Sequence, residues 1–575
     1  MYKGAVPRGP FGFFGRPRGY IDYPQSGSEL PRGPVHVLGW CVFPGTSVAR
    51  VEIQVDGGPP ERARVAMERA DIPRLTKEAA APLSGFEHKL DLSALPPNAR
   101  RVTLAATAHG LDGRELRLEP VTFEIGAVEA PFVDEDGAAA ALRARSKRPL
   151  RPRSAAANPP PGRPLRLLAF SHVLAHGGAS LYLLELLRRL TEDHGFECEL
   201  VGLADGPLRP LFEKAGVPVH LTDGFPVATL ERYEGNVAEL VAWAAAGQFD
   251  AVLVNTLGSF VGGDVAGRLG IPALWAVHES FPLALFWHTA YEAGTLHPYT
   301  RARAEGALAQ AAAVVFPAEA TRQLYLGAAE PARLTAIPYG VELEDMGRAP
   351  DRTQARRLLG IDPDAQLVLC LGSIEARKSQ AMLTTAFARI AERHPRAQLA
   401  LVGATDHAYC ADYRAALREF AARAGLEGRL RIEPVTDDPY SWHAAADVVA
   451  CASDIESLPR VIVEAMVFGT PVLSTRVFGV PELIEDGRTG YLCDVRDAAS
   501  LADGLERVLG APAAELGELT RAAALHARAR HDPVAYTDTM ATLIAGLAAH
   551  PEALPGDVLA RAEWRRGARE AARGR

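Results

Sequence analysis

Short apolar segments alternate with helical patterns from residue 164 to residue 493, and this alternation constrains the fold more than any other feature of the chain. Repeated strand–helix units imply a parallel sheet that is covered by helices on both faces. The first series predicts strands at 165–170, 196–202, 218–222, 250–255, 273–277, 312–316 and 333–337, and its helices include 181–190 and 236–245. The second series predicts strands at 366–371, 398–402, 429–432, 447–451, 471–474 and 490–493. We therefore expect two consecutive doubly wound α/β domains, with a ligand in the cleft between them.

The segment that precedes residue 164 has a different texture. From 33 to 126, apolar and polar residues alternate in short runs separated by turn signals such as Asp56-Gly57-Gly58, which predicts a small all-β sandwich. The Gly-Trp-x-Val pattern around Trp40 resembles immunoglobulin-like modules attached to bacterial polysaccharide enzymes. The predicted boundaries are a loose segment at 1–30, the β-sandwich module at 31–127, a linker at 128–163, Rossmann-like domains at 164–345 and 346–530, and a cross-over helix with a basic tail at 531–575.

The linker contains a proline-rich spacer at 158–162. Such a spacer is stiff, and it indicates few core contacts between the domains that it joins. We therefore expect an autonomous sandwich that is dispensable for any chemistry of the α/β domains and that helps them to find their binding partner. Two interpretations of Trp40 and Phe86 stay open, because they could form an exposed stacking platform for a sugar ring or lie in the core of the sandwich.

Composition and charge exclude several classes of protein. A net charge of −8 is not that of a general nucleic-acid binder. Six cysteines are scattered without a C-x-x-C pair, which indicates reduced core residues of a cytoplasmic protein. No secretory leader is recognisable, and no apolar run reaches the roughly 20 residues of a membrane span. The basic end at 551–575 predicts a solvated helix or a frayed terminus, and peripheral contact with the inner membrane face stays open as the alternative.

The stretch 454–466, Asp-Ile-Glu-Ser-Leu-Pro-Arg-Val-Ile-Val-Glu-Ala-Met, follows a predicted strand and opens a helix. Ligands bind at the carboxyl ends of strands in open α/β sheets, and the free amides of a helix N-terminus favour an anion. We expect Glu456 and Glu464 to accept hydrogen bonds from hydroxyls of a phosphorylated ligand. The amides expected to face its phosphates are those of Ser457, Leu458, Arg460 and Val461. The alternative is a surface helix with two solvated glutamates.

The loop 372–380, Gly-Ser-Ile-Glu-Ala-Arg-Lys-Ser-Gln, follows the first strand of the second series. Arg377 and Lys378 are placed at a strand end to stabilise a developing diphosphate leaving group without proton transfer. The alternative is a solvated basic pair. Asp134-Glu135-Asp136 matches a D-x-D metal motif in letters only, because it follows no strand and lies in the linker. We predict no metal site.

Two further features follow strands of the first series. Gly177 and Gly178 open a helix, where two glycines let a backbone approach a ligand closely. His278 ends the strand 273–277, and a histidine in that place is either a structural residue or a ligand contact.

These segments together resemble the retaining glycosyltransferases of family 4. The stretch 454–466 resembles their E-x7-E signature, and Gly-Thr-Pro-Val at 469–472, Gly-Val-Pro-Glu-Leu-Ile at 479–484 and Asp-Gly-Arg-Thr-Gly at 486–490 follow at the family's spacing. The resemblance covers about 165–545 and implies the GT-B fold and a reaction that needs no metal. It also implies that Glu456 holds donor-sugar hydroxyls, that Glu464 holds the ribose and that His278 faces the donor sugar.

The same resemblance extends to the two glycine loops. The loop 372–380 is similar to the family's phosphate loop, with Ser373 where the commoner form has arginine, which leaves open which cation contacts the phosphate nearest the sugar. Gly177 and Gly178 resemble the glycines that lie over the donor phosphates.

The function expected from these features is hexosyl transfer from a nucleoside diphosphate sugar to a glycan or lipid-linked acceptor, with retention of configuration and no cofactor. One alternative is a nucleotide-sugar epimerase on the same fold, which would convert the donor without an acceptor. The other is a catalytically silent glycan-binding or scaffold protein. The clustered charges at 377, 378, 456 and 464 argue against the silent protein, because a decayed site should lose charges that are costly to cluster.

Overall fold

The computed structural model describes residues 16–74, 76–126, 163–222, 224–225, 227–291, 295–342, 349–405 and 410–561. Residues 128–162 of the predicted linker, which include the Asp134-Glu135-Asp136 triplet, and the end of the basic tail lie outside the described residues. The fold class is confirmed, because an all-β region is followed by two parallel α/β sheets.

The all-β region is one hydrogen-bonded sheet whose described strands are antiparallel except for a short parallel pair of β2 and β9. Its strands are β1 (Arg18–Tyr23), β2 (Glu29–Leu30), β3 (Pro34–Val42), β4 (Val48–Val55), β5 (Glu61–Met67), β6 (Gly85–Asp91), β7 (Arg101–Gly110), β8 (Glu115–Arg117) and β9 (Val121–Ile125). The order is β1-β3-β6-β5-β4-β7-β9-β2, with β8 beside β7. Buried residues alternate with partly exposed residues along β7, and this alternation shows why the segment forms a strand with one face toward a core.

One expectation about this region is wrong, and one question that the sequence left open is decided. The segment 1–30 is not loose throughout, because β1 lies within it, pairs with β3 and buries Ile21. Its short and mostly polar run carries little signal of its own, and pairing with β3 supplies the order. Trp40 and Phe86 are only 8% and 2% exposed, so they are core residues and not a stacking platform.

The first α/β domain has a parallel sheet in the order β12-β11-β10-β13-β14-β15-β16. Its strands are β10 (Arg166–Ser171), β11 (Glu197–Gly202), β12 (Val219–Leu221), β13 (Ala251–Asn255), β14 (Ala273–Ala276), β15 (Ala313–Phe316) and β16 (Leu334–Ala336). Its helices are α1 (Gly178–Glu192), α2 (Arg209–Lys214), α3 (Leu230–Gly247), α4 (Val261–Leu269), α5 (Leu283–Ala290), α6 (Pro298–Ala309) and α7 (Glu319–Gln323). Every predicted strand of this series is present.

The second α/β domain has a parallel sheet in the order β19-β18-β17-β20-β21-β22. Its strands are β17 (Gln366–Leu371), β18 (Ala397–Ala404), β19 (Leu430–Pro434), β20 (Val448–Cys451), β21 (Val472–Thr475) and β22 (Tyr491–Cys493). The helices that follow residue 350 are α8 (Arg352–Leu359), α9 (Gln380–Ile390), α10 (Ala411–Arg423), α11 (Pro439–Ala445), α12 (Arg460–Phe468), α13 (Val480–Leu483), α14 (Ala498–Gly510), α15 (Ala513–Arg530) and α16 (Pro533–Ala549).

The described residues divide into two compact units that do not follow the order of the chain. The first unit takes its residues from Met1–Ala130, Leu343–Glu456 and Val461–Ala527, and the second takes its residues from Pro131–Glu342, Ser457–Arg460 and Arg528–Arg575. Helix α16 thus belongs with the first α/β domain, where the hydroxyl groups of Tyr536 and Tyr182 lie 2.6 Å apart.

The all-β region is not a separate body, which corrects the expectation of an autonomous sandwich. It shares the first unit with the second α/β domain, and one buried cluster contains residues of both. Strand β5 contacts α9, and strand β4 contacts α14. A proline-rich spacer limits contacts near the spacer itself, but it does not prevent strands far from it from packing on a later domain.

The six cysteines lie buried and form no disulfide. Among the described helices, none combines the length and the apolar character that crossing a membrane requires.

Candidate active site

The sheet order reverses at one point in each α/β domain, between β10 and β13 and between β17 and β20. Strands that run in parallel end at the same edge of a sheet, and the crevice at such a switch point is where ligands bind in open α/β folds. The loop 372–379 follows β17, and the loop 452–459 follows β20. Ser373, Arg377, Lys378 and Glu456 therefore share one edge of the second sheet.

Lys378 and Glu456 meet at this edge. The Lys378 Nζ donates to Glu456 Oε1, and the Ser453 hydroxyl donates to the same oxygen over 2.8 Å. Glu456 is only 8% exposed. Burial alone would raise the pKa of this carboxyl, but the charges of Lys378 and Arg377 outweigh burial and lower it. Glu456 is thus a buried ionised carboxylate beside a fixed cation, and the interpretation as a solvated surface glutamate is wrong.

Asp454 ties the two loops together. Its backbone N–H donates to the carbonyl of Arg377 over 2.9 Å, and its Oδ1 accepts from the Ser379 hydroxyl over 2.7 Å. Ser379 has a φ of +51°, a left-handed conformation that non-glycine residues adopt only when their surroundings hold them. The position of Lys378 therefore depends on the Asp454 carboxylate.

Arg377 stands at the more exposed end of the same loop. Its side chain is 40% exposed, and its Nη2 lies 2.7 Å from Glu375 Oε1. The hydroxyl of Ser373 donates to that oxygen over 2.6 Å. Glu375 thus orients Arg377 and Ser373, a role that sequence reasoning missed.

Glu464 lies on α12 and is buried. Its Oε2 is 3.4 Å from Nε2 of His443, which is itself fully buried on α11. The His443 ring stacks on Phe468 with ring centroids 5.4 Å apart. Val461 lies in the first turn of α12, as the sequence predicted.

The predicted residues Ser457, Leu458 and Arg460 belong to the second unit. The Ser457 hydroxyl is 2.8 Å from the Thr321 hydroxyl, and the Leu458 carbonyl accepts from the Tyr339 hydroxyl over 2.6 Å. Arg460 makes a two-pronged ion pair with Glu185 on α1, at 2.7 and 2.8 Å. Side chains thus hold this short segment firmly, and its proposed phosphate-binding amides are those of a fixed backbone.

Gly177 and Gly178 lie at the start of α1, as predicted. A Cβ added at either position would meet no atom within 4 Å, and neither residue has a positive φ. Internal packing therefore does not require glycine in these two places, which is compatible with a requirement set by a ligand.

His278 lies beyond the end of β14 in a network that sequence reasoning missed. Its Nε2 is 3.1 Å from Oδ1 of Asn255 at the end of β13, and Asn255 Nδ2 donates to the Ala179 carbonyl over 3.0 Å. The ring of Tyr182 contacts His278 edge-on at 4.6 Å between centroids. Burial, together with the nearby His172, lowers the pKa of His278 to about 4, so the ring is neutral at physiological pH. The sequence feature that could have identified Asn255 is a polar residue at the end of an apolar strand.

A pocket of about 540 Å³ lies beside this network, within the first α/β domain. Its polar wall consists of His172, Thr256 and Glu279, and the Thr256 hydroxyl is 3.0 Å from His172 Nδ1. Thr256 has a φ of +73°, which marks a strained backbone at this wall. The remaining wall is mostly apolar and includes Phe225, Val227, Phe260, Val261, Phe286 and Tyr291.

Glu279 is the pocket's only described carboxyl group. It accepts from the backbone N–H of Leu257 over 2.9 Å and of His278 over 3.0 Å. Burial raises its pKa from 4.5 to about 7, although these amides act in the opposite direction. The native protein therefore keeps a proton on Glu279 at pH values where the unfolded chain has lost it.

The raised pKa of Glu279 predicts that the effect of Glu279→Gln on stability depends on pH. Because the folded pKa is the higher one, the carboxyl's contribution to the free energy of unfolding falls as pH rises from 4.5 to about 7. Glutamine cannot ionise, so the variant has no such loss. The free energy of unfolding of the variant, relative to that of wild type, should therefore be about 2 kcal/mol higher at pH 8 than at pH 5. Denaturant unfolding of both proteins at the two pH values measures the difference.

The matched control for this experiment is Glu305→Gln, which changes an exposed glutamate in the same domain. Its difference from wild type should change much less between the two pH values than that of Glu279→Gln. A Glu279→Gln difference that is equally flat would show that the carboxyl ionises in the folded protein at its ordinary pKa. His278 is present in every protein compared, so its opposite contribution cancels.

Among the described residues, no group of three or more His, Cys, Asp and Glu side chains is placed to hold a metal ion.

Comparison with known proteins agrees with this geometry. Residues 176–345 match the family described as Glycosyltransferase Family 4, and residues 351–526 match Glycosyl transferases group 1. The chain is 30% identical over 367 residues to D-inositol 3-phosphate glycosyltransferase 2 of Catenulispora acidiphila. The aligned stretch covers 60% of this chain and 84% of the relative. The chain is 33% identical over 358 residues to the D-inositol 3-phosphate glycosyltransferase of Geodermatophilus obscurus, or 58% of this chain and 78% of the relative.

Solved structures show the same fold. Anabaena HepE in complex with UDP-glucose aligns with a TM-score of 0.57 at 24% identity, over 66% of this chain and 98% of HepE. Sucrose-phosphate synthase of Thermosynechococcus elongatus aligns with a TM-score of 0.54 at 21% identity, over 65% of this chain and 97% of the synthase.

Two Rossmann-like domains with polar strand ends at both switch points define a protein of the GT-B class of glycosyltransferases. Within that class, the chain belongs to the glycosyltransferases that carry the family 4 and group 1 domains. The matched ranges begin at residue 176, so the immunoglobulin-like resemblance of the all-β region stays a prediction.

Proposed function

We propose that the protein transfers a hexosyl group from a nucleoside diphosphate sugar to a glycan or lipid-linked acceptor, with retention of configuration and without a metal. The observation that carries this proposal is the contact of Lys378 with the buried carboxylate of Glu456 at the switch point of the second sheet. A fixed cation suits a departing diphosphate, and a desolvated carboxylate suits sugar hydroxyls.

The other donor contacts follow the family resemblance. Arg377 adds a second positive charge for the diphosphate, and Ser373 together with the amides of 457–461 would bind its oxygens. Glu464 would hold the ribose. Gly177 and Gly178 would let the backbone approach the phosphates, and the neutral ring of His278 would hydrogen-bond the sugar without adding charge. Because HepE is solved with UDP-glucose, UDP-sugars are the first donors to test.

The pocket beside His278 supports a more specific proposal about the acceptor. The two relatives described above are named for D-inositol 3-phosphate, a strongly anionic compound. The described residues that line the pocket include no lysine or arginine, and they do include Glu279 and several aromatic rings. Such a wall disfavours a phosphate and favours apolar groups. We propose an acceptor that places an apolar portion in this pocket, as a lipid-linked or aryl-linked glycan would.

A matched acceptor series tests this proposal. The same sugar is offered as the free sugar, as its methyl glycoside and as its butyl glycoside, with D-inositol 3-phosphate alongside. Each buried methylene contributes about 0.8 kcal/mol, so the butyl glycoside should show an acceptor KM at least tenfold below that of the methyl glycoside. The anomeric configuration of the product, followed by NMR, tests retention in the same reactions.

Each result of this series has a distinct meaning. Preference for D-inositol 3-phosphate would overturn the apolar acceptor while leaving sugar transfer in place. Conversion of the donor with no acceptor present would identify an epimerase. Binding of glycans without any turnover of UDP-sugars or other nucleoside diphosphate sugars would identify the silent binding protein.

A further inference from the structure

We infer that Arg64 of the all-β region is a positioning residue for the nucleotide-sugar site, so that this region forms part of the catalytic domain. The inference rests on the proposed donor-binding role of Lys378 and Glu456. It replaces the expectation that residues before the linker are dispensable for chemistry. All the contacts that carry it lie within the first compact unit.

Arg64 lies on β5 and is only 9% exposed. Its Nε donates to Oδ2 of Asp454, whose side chain is completely buried. Its Nη1 donates to Oε2 of Glu87 over 3.0 Å, and Glu87 is the residue opposite Arg64 on β6. Although burial raises the pKa of Glu87, His36 and Arg64 together lower it to about 2. Arg64 is therefore held between the side-chain carboxyl groups of Asp454 and Glu87.

Strand β5 is irregular next to Arg64. The pairing of β5 with β6 is irregular between Arg64 and Met67, and Ala66 has a φ of +57°. Bulges of this kind redirect side chains and are frequent beside functional sites, and a left-handed alanine persists only where its surroundings hold it.

Asp454 connects Arg64 to the loops 372–379 and 452–459 (the donor loops), which carry Lys378 and Glu456. One of its oxygens accepts from Arg64, and the other accepts from Ser379, the residue after Lys378. Its backbone N–H holds the Arg377 carbonyl, and Glu456 follows two residues later. Removal of Arg64 would leave a buried carboxylate without its main partner, a situation that proteins relieve by protonation or rearrangement. Either change would weaken the hydrogen bond that Ser379 donates to Asp454, and it would thereby shift Lys378.

Arg496 also faces Asp454, with its Nε 3.6 Å from Oδ2. This distance is too long for a hydrogen bond, so Arg496 supplies charge but no fixed geometry. It should keep an Arg64 variant foldable without restoring the geometry of the loop.

Arg62 provides a matched control two residues away on the same strand. Its Nη2 donates to Asp494 Oδ2 over 3.0 Å, and its Nη1 donates to the Val495 carbonyl over 3.3 Å. Arg62 thus binds the same α/β domain, after β22, without touching the donor loops. Loss of docking alone would affect variants of Arg62 and Arg64 alike.

The test compares full-length Arg64→Met, Arg64→Lys and Arg62→Met. We expect Arg64→Met to raise the donor KM and the calorimetric Kd for UDP at least tenfold, while the acceptor KM stays within twofold of wild type. Arg64→Lys should recover part of the loss, and Arg62→Met should stay within twofold in every constant. Ser379→Gly tolerates the positive φ and removes only the hydrogen bond to Asp454, so it should show the same selective loss of donor affinity if Arg64→Met fails to fold.

Wild-type UDP affinity in both Arg64→Met and Ser379→Gly would overturn the inference. Equal losses in Arg62→Met and Arg64→Met would also overturn it, because docking alone would then explain both. Failure of the proposed function looks different, since the wild-type protein itself would then neither bind UDP or another nucleoside diphosphate nor transfer sugar.

Discussion

Glutamine in place of Glu456 should lower turnover by 100-fold or more, which corresponds to about 2.7 kcal/mol of transition-state stabilisation. The wild-type carboxylate is buried, ionised and bound to Lys378 and Ser453. Hydrogen bonds to a charged acceptor contribute about 1.5–3 kcal/mol, roughly twice those to a neutral one. Glutamine keeps the shape of the side chain but loses the charge toward Lys378 and toward the donor hydroxyls together.

Steady-state kinetics and thermal unfolding of the same preparations separate chemistry from folding. The matched control is Glu433→Gln, which neutralises a glutamate of β19 that pairs with Arg431 in the same domain. This control should turn over at the wild-type rate. Turnover of Glu456→Gln within threefold of wild type would remove Glu456 from the reaction and leave its contact with Lys378 as a structural feature.

The parallel sheets could be predicted from sequence because strands buried on both faces are nearly continuous apolar runs. The predicted strand at 366–371 is β17 residue for residue, and the run at 447–451 differs from β20 by one residue. Strand β5 of the all-β region carries no such run. Strand β5 reads Glu-Arg-Ala-Arg-Val-Ala-Met, and its order comes from pairing with β4 and β6.

The candidate site shows the same division. The sequence could predict that Lys378 and Glu456 lie close together, because each follows a strand and adjacent parallel strands end at one edge of the sheet. Arg64 could not be found in this way, because its partner Asp454 is 390 residues away and no local pattern marks the pair. A proline-rich sequence predicts only the local conformation of the chain. It does not predict which strands pack on a distant domain.

Methionine in place of Lys378 should weaken binding of UDP at least tenfold, or about 1.4 kcal/mol, while binding of uridine changes little. The ammonium group contacts diphosphate in the proposed complex, so its removal matters only when the phosphates are present. In the free protein it also neutralises Glu456, and the variant leaves that carboxylate to repel the incoming phosphates. Arg377→Ala should act in the same direction but less strongly, because Arg377 is more exposed.

Calorimetry with UDP and with uridine measures both affinities, and Arg393→Ala is the control because it removes an exposed arginine that pairs with Glu506 in the same unit. The double variant Lys378→Met, Glu456→Gln distinguishes the two contributions of Lys378. If repulsion from Glu456 adds to the loss, the double variant should bind UDP more tightly than Lys378→Met alone. Equal losses of UDP and uridine affinity in Lys378→Met would mean that the lysine supports the structure of the loop, and the diphosphate would then need another cation.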